Sequence, residues 1–196
     1  MARPRSFNID EALHQAMRVF WAKGYEATSM TDLMDAMHLH KGSIYQAFGD
    51  KHQLYKAALT QYTQSGISAM RNAVADAASP FEAVRDLMRM SIRQCVVSEG
   101  ASGCFMMNSA VELGTVDEEV RGIVESVMAH VREMLTDLLR TGQEAGEFRA
   151  DLEPKSMAEF LMTVKAGILT SGKIHLPGMD PFDTINTALA GLRPRI

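Results

Sequence analysis

The chain has 196 residues, 46% hydrophobic and 22% charged, the composition of a folded globular protein rather than a disordered or fibrous one. Its formal charge is −4, unevenly spread: residues 1–60 hold seven Lys/Arg against six Asp/Glu, and residues 61–196 hold thirteen against eighteen. An acidic chain lacks the strongly basic footprint of a general nucleic-acid binder, so charge alone does not suggest DNA.

No apolar run approaches the roughly 18 residues of a membrane span. Met1-Ala2-Arg3-Pro4-Arg5 leads directly into an amphipathic segment, not into the apolar core of a signal peptide. A soluble, cytoplasmic protein without membrane contact is expected. Cys95 and Cys104 are too few for a disulfide framework or a CxxC metal site, and the six His fall in no Cys/His or HExxH pattern. Gly100-Ala101-Ser102-Gly103 has the wrong order for a nucleophile elbow and follows no strand, and no P-loop or dinucleotide fingerprint is present. The sequence therefore predicts no enzyme, no cofactor and no metal.

Helical periodicity runs nearly throughout. Ile9, Leu13, Ala16, Met17 and Phe20 recur at helical spacing behind Asn8 and Glu11, a capping-box pair, and Gly24 closes this first helix. Ser29 with Asp32 repeats the signature and opens a short second helix to about Met37. After His38-Leu39-His40 a third helix covers roughly Lys41–Phe48, stopped by Gly49, and Asp50 with Gln53 starts a fourth. Further on, Ser79-Pro80 opens a helix over Phe81–Val97, and Cys104–Leu113 forms another. A stripe from Val120 to Leu138 is closed by Gly142 and Gly146. The last two helices are Pro154–Lys173 and Pro181–Leu192. No alternating strand pattern appears; the predicted fold class is all-α.

Two short helices joined by a tight turn and packed on a longer one are the elements of a helix-turn-helix DNA reader. In the third helix Ile44 and Phe48 face a core with Leu33, Leu39 and Leu54, leaving Lys41, Gly42, Ser43, Tyr45 and Gln46 on the opposite arc. Lys suits a phosphate, Ser and Gln suit base edges or phosphates, and Tyr offers a hydroxyl and a ring. Lys51 stands ready for another phosphate. An ordinary helical hairpin with a solvated polar face fits these residues equally well.

The segment Phe20-Trp21-Ala22-Lys23-Gly24-Tyr25-Glu26-Ala27-Thr28-Ser29, then Leu33, then Lys41-Gly42-Ser43-Ile44-Tyr45-Gln46-Ala47-Phe48-Gly49-Asp50-Lys51 and Leu54, resembles the DNA-binding domain of TetR/AcrR-family transcriptional regulators over about residues 6–58. The resemblance implies a helix-turn-helix DNA-binding domain over residues 1–50 and a helical ligand-binding and dimerisation domain over 51–196. It implies a ligand-responsive homodimer, a repressor of a palindromic double-stranded operator. A small-molecule inducer would release it. Matched positions give Ser29, Thr31, Lys41, Gly42, Ser43, Tyr45, Gln46 and Lys51 as DNA contacts. Two departures from the family pattern matter, at His38 and Ala47. His38 stands where the turn usually has Gly, Ala47 stands where a polar or aromatic residue is frequent, and His40 often corresponds to a capping Ser. His38, Ala47 and the weak local charge keep open an alternative, a helical small-molecule-binding or protein-interaction module that no longer reads DNA. Arg3 and Arg5 form a basic arm that either reaches a minor groove or is a frayed terminus.

Fifteen methionines suit an adaptable pocket for an apolar or aromatic ligand, although a Met stripe also suits plain core. Met88, Cys104, Met107, Asn108, Met128 and Met162 are the candidate pocket residues, with Ser109 and Glu112 as further polar contacts. Cys104, placed at a helix start, is either an electrophile- or oxidant-sensing thiol or a small apolar residue. The stripe Met157–Leu169, with Ala166, Gly167 and Ser171 nearby, is assigned either to a dimer face or to the core.

Overall fold

The structure is a computed structural model that describes residues 7–97, 102–174 and 178–194. Among these residues it contains nine α-helices and no strand. The Arg3 and Arg5 arm, and Gly100-Ala101 of the Gly/Ser break, lie outside the described residues. The helices are α1 (Ile9–Lys23), α2 (Met30–Met37), α3 (Lys41–Phe48), α4 (Lys51–Asp76), α5 (Pro80–Ile92), α6 (Phe105–Leu113), α7 (Glu118–Glu144), α8 (Pro154–Lys173) and α9 (Pro181–Ala190).

The short helices begin and end where side-chain chemistry dictates. The Asn8 carboxamide accepts the Asp10 and Glu11 amides. Ser29 and Asp32 form a complete reciprocal capping box, and Asp50 accepts the Gln53 amide at 2.8 Å. Gly24 (φ +84°) and Gly49 (φ +90°) end α1 and α3 in backbone conformations that a Cβ disfavours.

Contacts divide the chain into two compact units: Met1–Ser65 with Phe105–Val124, and Gly66–Cys104 with Glu125–Ile196. The first is larger than residues 1–50, because the start of α4, all of α6 and the start of α7 complete its core. Phe20, Leu33, Ile44, Leu54, Tyr55, Leu59, Phe105 and Val120 are all at most 1% exposed. Tyr55 sits at the centre. Its ring meets Phe20, Tyr25 and Phe105 edge-on, with centroids at 5.0, 5.1 and 5.5 Å, and its hydroxyl donates to Ser109 Oγ at 2.7 Å. Burial pushes the phenol up to about 12, against the opposing pull of the Ser109 hydrogen bond.

The second unit packs α5, α8, α9 and the later part of α7 around Val84, Met88, Ile92, Leu135, Leu139, Phe148, Leu161, Ile168 and Ile185. The helix predicted over Phe81–Val97 is α-helical only to Ile92, and Arg93–Val97 form a π-helical turn. That turn comes close to α8: a Cβ on Gly172 would lie 2.5 Å from the Val96 side chain. Gly142 does not close α7. It stands inside the helix, where a Cβ would lie 2.4 Å from the Phe148 ring. Gly146 (φ +72°) follows the helix end.

The apolar stripe Met157–Leu169, read as Met157, Phe160, Leu161, Val164, Ile168 and Leu169, divides. Met157, Leu161, Ile168 and Leu169 are buried in the core and Val164 is partly buried, whereas Phe160 is exposed. The face of α8 left open is the neighbouring row Ser156, Phe160, Thr163, Gly167, Thr170 and Ile174, with Phe160 47% and Ile174 68% exposed. Its threonines and glycine hide this row from an apolar pattern search.

Candidate nucleic-acid interface

Helix α3 turns one narrow face inward and the rest outward. Ile44 is 1% exposed in the first core, while Phe48 and Leu39 pack partly buried against it. Lys41, Gly42, Tyr45 and Gln46 are exposed and Ser43 half-buried, so the arc expected to meet a ligand surface is open to solvent. Tyr45 is 39% exposed, with the Lys41 ammonium 5.5 Å from its ring centroid. A Cβ on Gly42 would meet nothing within 4 Å. The smooth backbone at this first turn is therefore available to a close-approaching group.

The turn before α3 carries the departures seen in the sequence. His38 adopts a left-handed conformation (φ 53°, ψ 39°) and is the one non-glycine residue with positive φ among the described residues. Histidine is among the side chains that tolerate this region better, at a cost that glycine avoids. His40 occupies the N-cap of α3 but makes no side-chain capping bond. The α3 N-terminus therefore keeps amides unsatisfied by its own cap, the arrangement that favours a phosphate.

Helix α2 presents Thr31 to solvent, whereas the Ser29 hydroxyl is engaged with Asp32. Asp32 also accepts Lys23 Nζ at 2.5 Å; the Lys23 bond and the Ser29 capping bonds hold its carboxyl well below the usual range. Lys51, half-buried at the start of α4, rests its ammonium 4.4 Å from the Tyr25 ring centroid. Burial pushes the Tyr25 phenol up, helped by Glu26, Asp50 and Asp117.

Behind this surface His52 Nε2 lies 2.5 Å from Asp117 Oδ2, and Lys56 Nζ lies 2.6 Å from Glu119. Burial pushes the Asp117 carboxyl up, but the Val120 amide, His52 and the Glu119 amide together hold it below its usual range.

The candidate pocket residues are divided between the two units. Met107 and Asn108 stand on α6 of the first unit; Met88, Cys104, Met128 and Met162 belong to the second. Met88 is 1% exposed in the core, with Met162 packed against the same cluster. Ser109 and Glu112 both have partners within the chain: Ser109 is fully buried against Tyr55, and Glu112 accepts two backbone amides. Short polar side chains on a helix give no sequence sign of which partner they have. Arg89, on α5, was not among the candidate residues. Its Nε is buried without a hydrogen-bond partner, and its guanidinium lies 5.6 Å from the Phe182 ring. Such an atom marks a place where water or a ligand group fits. Among the described residues no group of three or more His, Cys, Asp or Glu gathers as a metal site, and no helix is long and apolar enough to cross a membrane.

A short helix anchored by one apolar row, presenting Lys, Gly, Tyr and Gln beyond a tight turn, defines a helix-turn-helix protein. Residues 12–58 match the family described as bacterial regulatory proteins, tetR family, and residues 80–177 match the tetracyclin repressor-like C-terminal domain. The chain belongs to the TetR family and is a DNA-binding transcriptional regulator. The HTH-type transcriptional repressor ComR of Escherichia coli is 30% identical over 174 residues, covering 87% of this chain and 82% of that protein. The uncharacterised regulator YezE of Bacillus subtilis is 26% identical, covering 89% and 90%. Among solved structures, a cysteine variant of the TetR-family regulator CifR, complexed with 26-base-pair operator DNA, superposes with TM-score 0.85 at 29% identity, covering 97% of this chain and all of that one. These relatives do not favour a module that has lost DNA reading.

Proposed function

We propose that this protein is a cytoplasmic homodimeric repressor that reads a two-fold symmetric operator and is released by an apolar or aromatic small molecule. The observation that carries the reading is the open arc Lys41–Gln46 on a helix whose opposite row is locked in the core. We assign Tyr45 and Gln46 to base edges. Ser29, Thr31, Lys41, Gly42, Ser43 and Lys51 are assigned to the backbone or adjacent bases. Reading of DNA falls to residues 1–50, framed by the rest of the first unit, while residues 51–196 serve ligand binding and dimerisation.

One eight-residue helix contacts too few base pairs for specificity, so a symmetry mate is required, with half-sites ~34–36 Å apart. The open row Phe160, Thr163, Gly167, Thr170 and Ile174 supports α8 as the pairing helix, with Asp183, Asn186, Thr187 and Ala190 exposed on α9. Phe160 supplies apolar area and Gly167 permits close backbone approach. For the ligand we carry forward Met88, Cys104, Met128 and Met162, which share the second unit, since flexible thioether side chains suit an adaptable pocket. Met107 and Asn108 remain assigned to α6.

Selection of duplexes from a random pool by the full-length protein tests this reading. Enrichment of an inverted repeat supports it; enrichment of nothing, or of a sequence without two-fold symmetry, contradicts it. In mobility shifts the inducer should weaken operator binding 5- to 150-fold, a coupling of ~1–3 kcal/mol.

A further inference from the structure

The turn between α1 and α2 is held by a carboxylate from a helix 87 residues further along the chain. Glu112, on α6, accepts the Tyr25 amide at Oε2 (3.0 Å) and the Glu26 amide at Oε1 (2.9 Å). Two adjacent donors on one ionised group form a charge-assisted clamp, stronger than a pair of neutral bonds and more demanding in geometry. The approach depends on Gly24, where a Cβ would lie 2.7 Å from Glu112 Oε2 and where φ is +84°.

The clamped turn leads directly into the reading helices. Tyr25 packs its ring against Phe20 and Tyr55. Thr28 is buried and donates to the Gly24 carbonyl, and Ser29 then opens α2 with its capping box. The turn thus fixes where α2 starts, and α3 follows α2 after three residues. Tyr55–Ser109 and His52–Asp117 hold α4 against α6 and the start of α7; the Glu112 bonds hold the turn. The chain passes between the two units at 65/66, 104/105 and 124/125, and α6 begins at the second of these crossings.

We propose that Glu112 is a positioning residue for DNA reading: by holding the turn it sets the placement of α3, and with it the half-site spacing that the dimer accepts. This rests on the dimeric reading proposed above. A displacement of α6 reaches the reading head through this carboxylate, in addition to any movement of α4.

The test uses the full-length chain and its Glu112→Ala and Glu112→Gln variants with two readouts. Amide hydrogen exchange at Tyr25 and Glu26, measured without DNA, reports the clamp. The affinity ratio between the duplex selected by the wild type and the same duplex with one base pair added between half-sites reports positioning. Glu112→Ala should exchange these amides about tenfold faster or more, the scale of a lost charge-assisted hydrogen bond. Its affinity ratio should fall about fivefold or more. Glu112→Gln keeps an acceptor oxygen without the charge, and should fall between Ala and wild type in both readouts. It carries the test should the alanine variant fail to fold. Unchanged exchange overturns the proposal. So does a variant that loses affinity equally for both duplexes, because that is the signature of a purely structural role. A wild type that selects no duplex overturns the DNA reading itself, an outcome kept distinct because the exchange arm uses no DNA.

Discussion

The two units of this chain differ in what fixes their geometry. In the first, boundaries follow from side chains within a few residues of the helix they bound: Asn8, Ser29 and Asp50 cap, and Gly24 and Gly49 close. In the second, α5, α8 and α9 are capped just as locally, by Ser79, Glu153 and Asp180, and the difference lies in the packing between elements. Gly142 makes room for Phe148, the Gln143 amide donates to the Arg149 and Leu152 carbonyls at 2.6 Å each, and the π-helical turn brings Val96 against Gly172. A surface that must present a few side chains at fixed spacing gains from short-range constraint. The second unit, proposed above to accept a ligand, relies more on packing between elements.

Ile44→Ala should break the first unit most severely. Removing that fully buried side chain beneath the reading arc should cost about 2–5 kcal/mol by urea denaturation. A loss below about 1 kcal/mol would mean that α3 is not anchored by this row. Gly142→Ala tests the second unit, since the added methyl meets a buried ring and should cost roughly 1–3 kcal/mol by overpacking. A neutral result would show that this packing yields easily. Lys51→Ala should leave stability nearly untouched. It should weaken binding to all duplexes and reduce the salt-dependence slope by about 0.9 per subunit, one phosphate contact. An unchanged slope would assign Lys51 to the Tyr25 ring alone.

His38→Gly sharpens the comparison at smaller scale. Relieving a left-handed histidine should raise stability by roughly 0.5–1 kcal/mol, read as a higher Tm. A decrease would show that His38 contributes contacts that outweigh its backbone strain. Acid titration offers the mildest test. Asp117 is held below its ordinary 3.8, so its contribution is present above that pH and is lost as pH falls through the lower folded value. The stability gap between wild type and Asp117→Asn should therefore close only below about pH 4. A gap that closes well above pH 4 would contradict this assignment.

The same contrast explains what could be read beforehand. Helices α1, α2 and α3 were legible to the residue or nearly so, because caps and glycines are local signals. The exposed arc followed once Ile44 and Phe48 were assigned inward. The π-helical turn was not legible, since nothing in Arg93-Gln94-Cys95-Val96-Val97 distinguishes it from a continued α-helix. Nor was the choice of faces on α8, where Met157–Leu169 is the apolar row and the open row is disguised by Thr163, Gly167 and Thr170. The hold of Glu112 on the α1–α2 turn was not legible either, because a carboxylate on a helix carries no mark of a partner 87 residues away.

The central claim, that the outward arc of α3 reads bases, is tested most directly by the base-by-base affinity profile of Gln46→Ala beside the wild type. The account predicts relaxed preference at one symmetric pair of operator positions, at a cost of roughly 1–3 kcal/mol, with folding stability within about 0.5 kcal/mol. An unaltered profile at full affinity would contradict it.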